Sequence, residues 1–110
     1  MSADLGTSGS GGRRLALIVT SSRYVEVLKG LVTQARAKGI ELACFLTGEG
    51  VRVLSDTQIV QEARSSSMRF GVCELSWGRE HMGALIEGVN YASQYQNSEF
   101  VLWADKVLVL

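Results

Sequence analysis

Cys73 is the residue of this 110-residue chain best placed to do chemistry. It lies in Arg69-Phe70-Gly71-Val72-Cys73-Glu74-Leu75-Ser76-Trp77-Gly78-Arg79-Glu80, which reads as a buried strand over 70–75 running into a short helix. Ser76 is expected to cap that helix, its hydroxyl accepting from first-turn N–H groups. A thiol near the carboxyl end of a strand then faces the positive end of a helix. That field favours the thiolate, which is the nucleophile. Arg79, on the same helix, can add a cation, and as an ordinary surface Arg it would face solvent. The alternative for Cys73 itself is inert packing, since Cys is among the most often buried residue types.

Other chemistry is poorly supported. The second thiol, Cys44, sits mid-strand and reads as core. There is no CxxC, and His81 is the single His, so a dithiol redox pair and a zinc site both lack their ligands. His81 reads as a surface residue rather than as the base of a Cys/His pair. Glu49 and Glu74 have no spacing that requires an acid/base pair, and carboxylates beside a thiolate would work against it. The loop Thr47-Gly48-Glu49-Gly50-Val51 follows a strand but is no GxGxxG or P-loop. Gly48 and Gly50 read instead as a tight turn that brings backbone close to a neighbouring site. Trp77 and Trp103 read as packing or interface anchors.

The elements that must position these residues alternate along the chain. Residues 1–13, which include MSADLGTSGSGG, read as a flexible leader, and 14–110 as one α/β domain. The run 15–20 is continuously apolar, as in a strand covered on both faces. Ser21 or Ser22 is expected to cap a helix over 23–38, with Tyr24, Leu28, Leu31 and Ala35 as its apolar stripe, widened by Val25, Val27 and Val32. Gly39 stops it, and a second strand spans 40–46. Ser55-Asp56-Thr57-Gln58 has capping-box spacing, opening a helix to Arg64 with Ile59, Val60 and Ala63 inward. After the cysteine strand and its helix, 84–89 reads as a fourth strand and 91–97 as a loop. Ser98 is expected to cap a last helix over 99–104, followed by a fifth strand over 106–110. Five strands alternating with four helices predict a three-layer α/β/α sandwich on a mostly parallel five-stranded sheet.

Composition narrows the partners. Eleven basic residues balance eleven acidic ones, which argues against a nucleic-acid surface and removes a barrier to self-association. No apolar run approaches the ~20 residues of a membrane span. Free thiols without a visible export signal point to the cytoplasm.

The order of these features resembles the DsrE/DsrF-like sulfur-relay family, which includes the TusD and YchN types. The resemblance is carried by the polar turn Thr20-Ser21-Ser22 after the first strand and by Ala35-Arg36-Ala37-Lys38-Gly39 at the helix end. It is carried further by Phe45-Leu46-Thr47-Gly48-Glu49-Gly50-Val51, Val72-Cys73, Gly88-Val89 and Ala104-Asp105-Lys106-Val107-Leu108. It covers about residues 14–110. The chain departs from the pattern at Glu49, where Asp is usual, and in Glu74-Leu75-Ser76-Trp77-Gly78-Arg79. The resemblance implies a cysteine that carries sulfane sulfur as a persulfide, by position Cys73, with no metal or organic cofactor. It also implies sulfur-donor and sulfur-acceptor protein partners, and a trimer or hexamer with the cysteine near an interface. Ser22, Gly48, Glu49, Gly50, Ser76 and Arg79 are the residues expected around it. Two other classes remain open: a non-catalytic oligomeric binding or regulatory module, and a flavodoxin-like nucleotide binder, which lacks its phosphate fingerprint.

Overall fold

The computed structural model describes residues 13–110, so nearly all of the leader expected over 1–13 lies outside the described residues. Arg13 already belongs to the fold, its carbonyl accepting from Glu41 N–H at 2.9 Å. The elements are β1 (Arg14–Val19), α1 (Val25–Ala37), β2 (Glu41–Leu46), a segment in 3-10 turns (Gly48–Ser55), α2 (Thr57–Arg64), β3 (Arg69–Cys73), α3 (Glu74–Arg79), β4 (Tyr91–Ala92), α4 (Gln94–Trp103) and β5 (Lys106–Val109). The sheet runs β4-β3-β2-β1-β5, and every pairing is parallel. It is an α/β sandwich, as the alternating pattern predicts.

Strands β1 and β2 are apolar at successive positions because both faces of the sheet are covered. On one face Leu17, Val19, Cys44, Leu46 and Val72 pack beneath α1, the 3-10 segment, α2 and α3. On the other, Ala16, Ile18, Ala43, Phe45 and Cys73 pack beneath α4. The small residues there let α4 sit close, and Phe100 meets Phe45 edge to face with ring centroids 6.3 Å apart. Leu17, Phe45 and Leu46 are completely buried, each contributing about 2 kcal/mol over an exposed position.

Gly71 makes the close approach of α4 possible. A Cβ there would lie 2.9 Å from the Gln96 side-chain amide carbon and 3.0 Å from the Phe45 ring. Helices α1 and α2 are joined by charge at their outer surfaces: Lys29 to Asp56 at 2.6 Å, and Arg36 to Glu62 at 2.6 Å. Exposed pairs of this kind set geometry more than stability.

Several element boundaries differ from the sequence expectation. Helix α1 starts at Val25 without a side-chain cap, because Ser21 Oγ turns back to Arg23 N–H instead. Tyr24 and Val27 stay exposed, while Leu28, Val32 and Ala35 form the buried stripe. Asp56, not Ser55, caps α2, accepting from Gln58 and Ile59 N–H; Ser55 is still wound into the 3-10 turns. No strand forms over 84–89. That segment turns at Gly83 and Gly88, both with positive φ, and its Ile86 and Val89 pack against the core as a loop. Arg64 holds it by donating to Glu87 O at 2.8 Å. The fourth strand is the two-residue β4, inside the stretch expected to be loop, where Tyr91 pairs with Val72 and Ala92 with Cys73. Helix α4 starts five residues earlier than expected, capped by Ser93 rather than Ser98. Its first turns are polar because Gln94, Gln96 and Asn97 make specific hydrogen bonds. No helix among the described residues is long and apolar enough to cross a membrane.

Candidate functional site

Strands β3 and β4 are neighbours, yet the chain leaves them toward opposite faces of the sheet. Helix α3 follows β3 and sends Trp77 into the core on the α1 side, whereas α4 follows β4 and packs on the other face. The carboxyl ends of strands that diverge in this way are the place where ligands bind in open α/β sheets. Cys73, the last residue of β3, stands at that point.

Cys73 is itself the N-cap of α3, with extended backbone (φ −66°, ψ 115°). This corrects the expected order of cap and strand. Glu74 and Leu75 are in α3 and exposed, and Ser76 is its buried third residue rather than its cap. No cap bond closes to the sulfur, but Ser76 N–H faces it, as the third N–H of a helix faces an N-cap side chain.

Three neutral side chains, Ser76, Thr47 and Gln94, surround the same sulfur and are joined to one another by hydrogen bonds. Ser76 Oγ accepts from Gly48 N–H at 2.8 Å and lies 3.5 Å from Thr47 Oγ1, a contact in which either hydroxyl can donate. Thr47 Oγ1 accepts from Gln94 Nε2 at 2.8 Å. Gln94 Oε1 accepts from Asn97 Nδ2 at 3.0 Å, which turns the amide so that its N–H side faces Thr47 and Cys73.

The two thiols therefore differ in kind. For Cys73, burial is the largest single influence and pushes the thiol up. The combined donors outweigh it: the Ser76 hydroxyl, Ser76 N–H, the Gln94 amide and the Thr47 hydroxyl hold the thiol below its ordinary 9.0. For Cys44, burial has no such opposition, and the thiol is pushed up to about 12. Both residues have little exposed surface, 3% for Cys73 and 1% for Cys44. Cys44 is enclosed at the centre of the sheet, while Cys73 ends its strand with the exposed Gln94 among its neighbours.

The expected site residues divide. Ser76 and Gly48 join Cys73 through the bond described, and Gly50 shapes the same loop by resting against the backbone of Val19. Glu49 and Ser22 are exposed and take no part in the group around the sulfur. Arg79 is also exposed and is not among the groups acting on Cys73, so neutral donors rather than a cation favour the thiolate here. His81 is exposed in a left-handed turn after α3, with φ 55°. Trp77 is a packing residue, donating to Gly83 O at 2.9 Å and meeting Tyr91 edge to face.

Sequence reasoning missed Thr47, Gln94 and Asn97. Thr47 carried a signal, since it is the polar residue that directly follows the apolar β2. Gln94 and Asn97 carried none, because their stretch has no apolar period to mark it as helix. Compared with known proteins, the chain matches no family model and no curated protein.

Ser76→Ala tests the donor arrangement. The pH profile of Cys73 alkylation is expected to move to higher pH, since one of the donors that offset burial is lost. The same change orphans Gly48 N–H, and urea unfolding is expected to show a loss of about 1–3 kcal/mol. An unshifted pH profile would mean that the hydroxyl serves Gly48 alone.

Proposed function

We propose that Cys73 is the nucleophile of a sulfur-carrying site, accepting sulfane sulfur as a persulfide and passing it to a second protein. The single observation that supports this most is the convergence of Ser76, Thr47 and Gln94 on one sulfur at the switch point of the sheet. Inert packing of a thiol requires no such set of donors. The reading also draws on the resemblance to the DsrE/DsrF-like family.

The chemistry balances with one thiolate and no cofactor. Cys73 Sγ attacks the outer sulfur of a donor persulfide, R–S–SH. A new S–S bond forms, the bond between the donor's two sulfurs breaks, and the donor leaves as its thiolate, R–S⁻. The proton of the transferred sulfur is then shared with solvent. An acceptor thiolate repeats the attack on the outer sulfur and returns Cys73 to its starting state. Donors that stabilise a thiolate serve both steps, since Cys73 is nucleophile in the first and leaving group in the second. On this reading the partners are a donor and an acceptor protein, and the compartment is the reducing cytoplasm.

Intact-mass spectrometry tests it. Incubation with a small-molecule persulfide is expected to add about 32 Da, one sulfur, which a reductant removes because a persulfide is a reversible cap. Cys73→Ser is expected to abolish the adduct and Cys44→Ser to retain it. Loading that persists in Cys73→Ser, or fails in the wild-type chain, favours a non-catalytic binding module. The low exposure of Cys73 is the observation on that side.

A further inference from the structure

The two edges of the sheet are unlike. At one, β4 has two half-buried residues, too short to template another strand. At the other, β5 is exposed along its whole length, with Val107 40%, Leu108 43% and Val109 64% accessible. A long apolar edge strand is a template for further pairing unless it is blunted by charge, bulge or cover. Among its four residues only Lys106 is charged.

The backbone of β5 shows which groups remain unpaired among the described residues. Leu110 N–H donates to Ile18 O at 2.9 Å, and Leu110 O accepts from Thr20 N–H at 2.6 Å, so Leu110 faces β1. Alternation along the strand turns Leu108 toward β1 as well. The N–H and C=O groups of Val107 and Val109 then point to the open edge.

We infer that this edge is the contact surface for a second copy of the chain, joined about a two-fold axis by antiparallel pairing of β5 with β5. The pattern is self-complementary. With the axis at Leu108, Val107 of one protomer falls opposite Val109 of its partner. These are the residues whose backbone groups face outward, so each pair exchanges two N–H···O bonds. Val107 and Val109 share the sheet face of Ala16 and Ile18, given by their register, so apolar side chains meet on that face across the axis. Leu108 meets its own copy on the opposite face. Lys106 falls opposite Leu110, and no like charges face each other.

Helix α4 runs into β5 through Ala104 and Asp105 alone, and its last turn exposes Val101 and Leu102, the latter 86% accessible. With the three strand residues these make five exposed apolar side chains on β5 and the helix that leads into it. An isologous contact uses the same patch twice, which a single self-complementary strand satisfies. The inference is independent of the sulfur reading. It fits even-numbered assemblies, dimer or hexamer, and excludes an isolated trimer.

Sedimentation equilibrium and amide exchange test it together. The wild-type chain at tens of micromolar is expected to sediment at an even multiple of the chain mass. Its Val107 and Val109 amides are expected to exchange as slowly as that of Leu108, and to lose protection on dilution. Val109→Lys puts a charge at a position already 64% exposed, which the fold tolerates. It is expected to halve the assembled mass and free the Val107 and Val109 amides while Leu108 stays protected. A wild-type monomer or trimer overturns the inference, as does rapid Val107 and Val109 exchange in the wild-type assembly. An assembly that Val109→Lys leaves intact overturns it too. Should that variant fail to fold, the exchange pattern of the wild-type chain decides alone.

Discussion

Iodoacetamide is expected to modify one thiol per native chain, and that thiol is Cys73. The Cys44 thiol is pushed up to about 12 while Cys73 is held below 9.0, so near neutral pH Cys73 has by far the larger thiolate fraction. A lower pKa also weakens the nucleophile, which returns part of that difference. Access then widens the gap again. Cys44 lies mid-sheet between β1 and β3 and is reached only when the sheet opens, whereas Cys73 ends its strand with the exposed Gln94 among its neighbours. The net expectation is a rate ratio of about 10² or greater, read by peptide mapping after timed labelling. Equal protection of both thiols, relieved together by denaturant, would remove the basis for a reactive Cys73.

Gly50→Ala is expected to be the most damaging single-atom addition around the site. A Cβ at this position would overlap the Val19 carbonyl oxygen and stand 2.5 Å from its carbon. Both atoms are backbone of a central strand, so neither can swing aside as a side chain would. The clash is expected to cost about 3 kcal/mol or more, which for a domain of this size lowers Tm by more than ~10 °C. The same loop carries Thr47 and Gly48, so thiol reactivity is expected to fall with it. Gly71→Ala is a milder contrast, because the atoms it meets belong to the Gln96 and Phe45 side chains. A Gly50→Ala protein that melts within a few degrees of wild type would show that the loop can move away from β1.

The positions of these residues were legible in the sequence to different degrees, for physical reasons that can be named. Continuous apolar runs mark β1 and β2, because a strand buried on both faces has no polar side to alternate with. The α1 stripe of Leu28, Val32 and Ala35 repeats at helical period. Together they determine an α/β sheet and place Cys73 at a strand's carboxyl end. Ile86 and Val89 misled, since a loop that plugs a core is as apolar as a strand. Tyr91 and Ala92 were unreadable, because two residues carry no period at all.

What the sequence by itself determined is the class of fold, the place of one thiol at the carboxyl end of a strand and the tight turn at Gly48–Gly50. Those follow from local pattern: residue type, spacing and backbone permissiveness. Only the tertiary structure decided which groups surround that thiol. Thr47, Ser76 and Gln94 come from three separate elements, 29 residues apart for Thr47 and Ser76 and 47 for Thr47 and Gln94. Their direction depends on bonds to Gly48 and Asn97 that no local pattern encodes. The helix cap moved from Ser76 to Cys73 for the same reason: Gly48 N–H claims the Ser76 hydroxyl from across the sheet, and a side chain so engaged is not free to cap the helix that contains it.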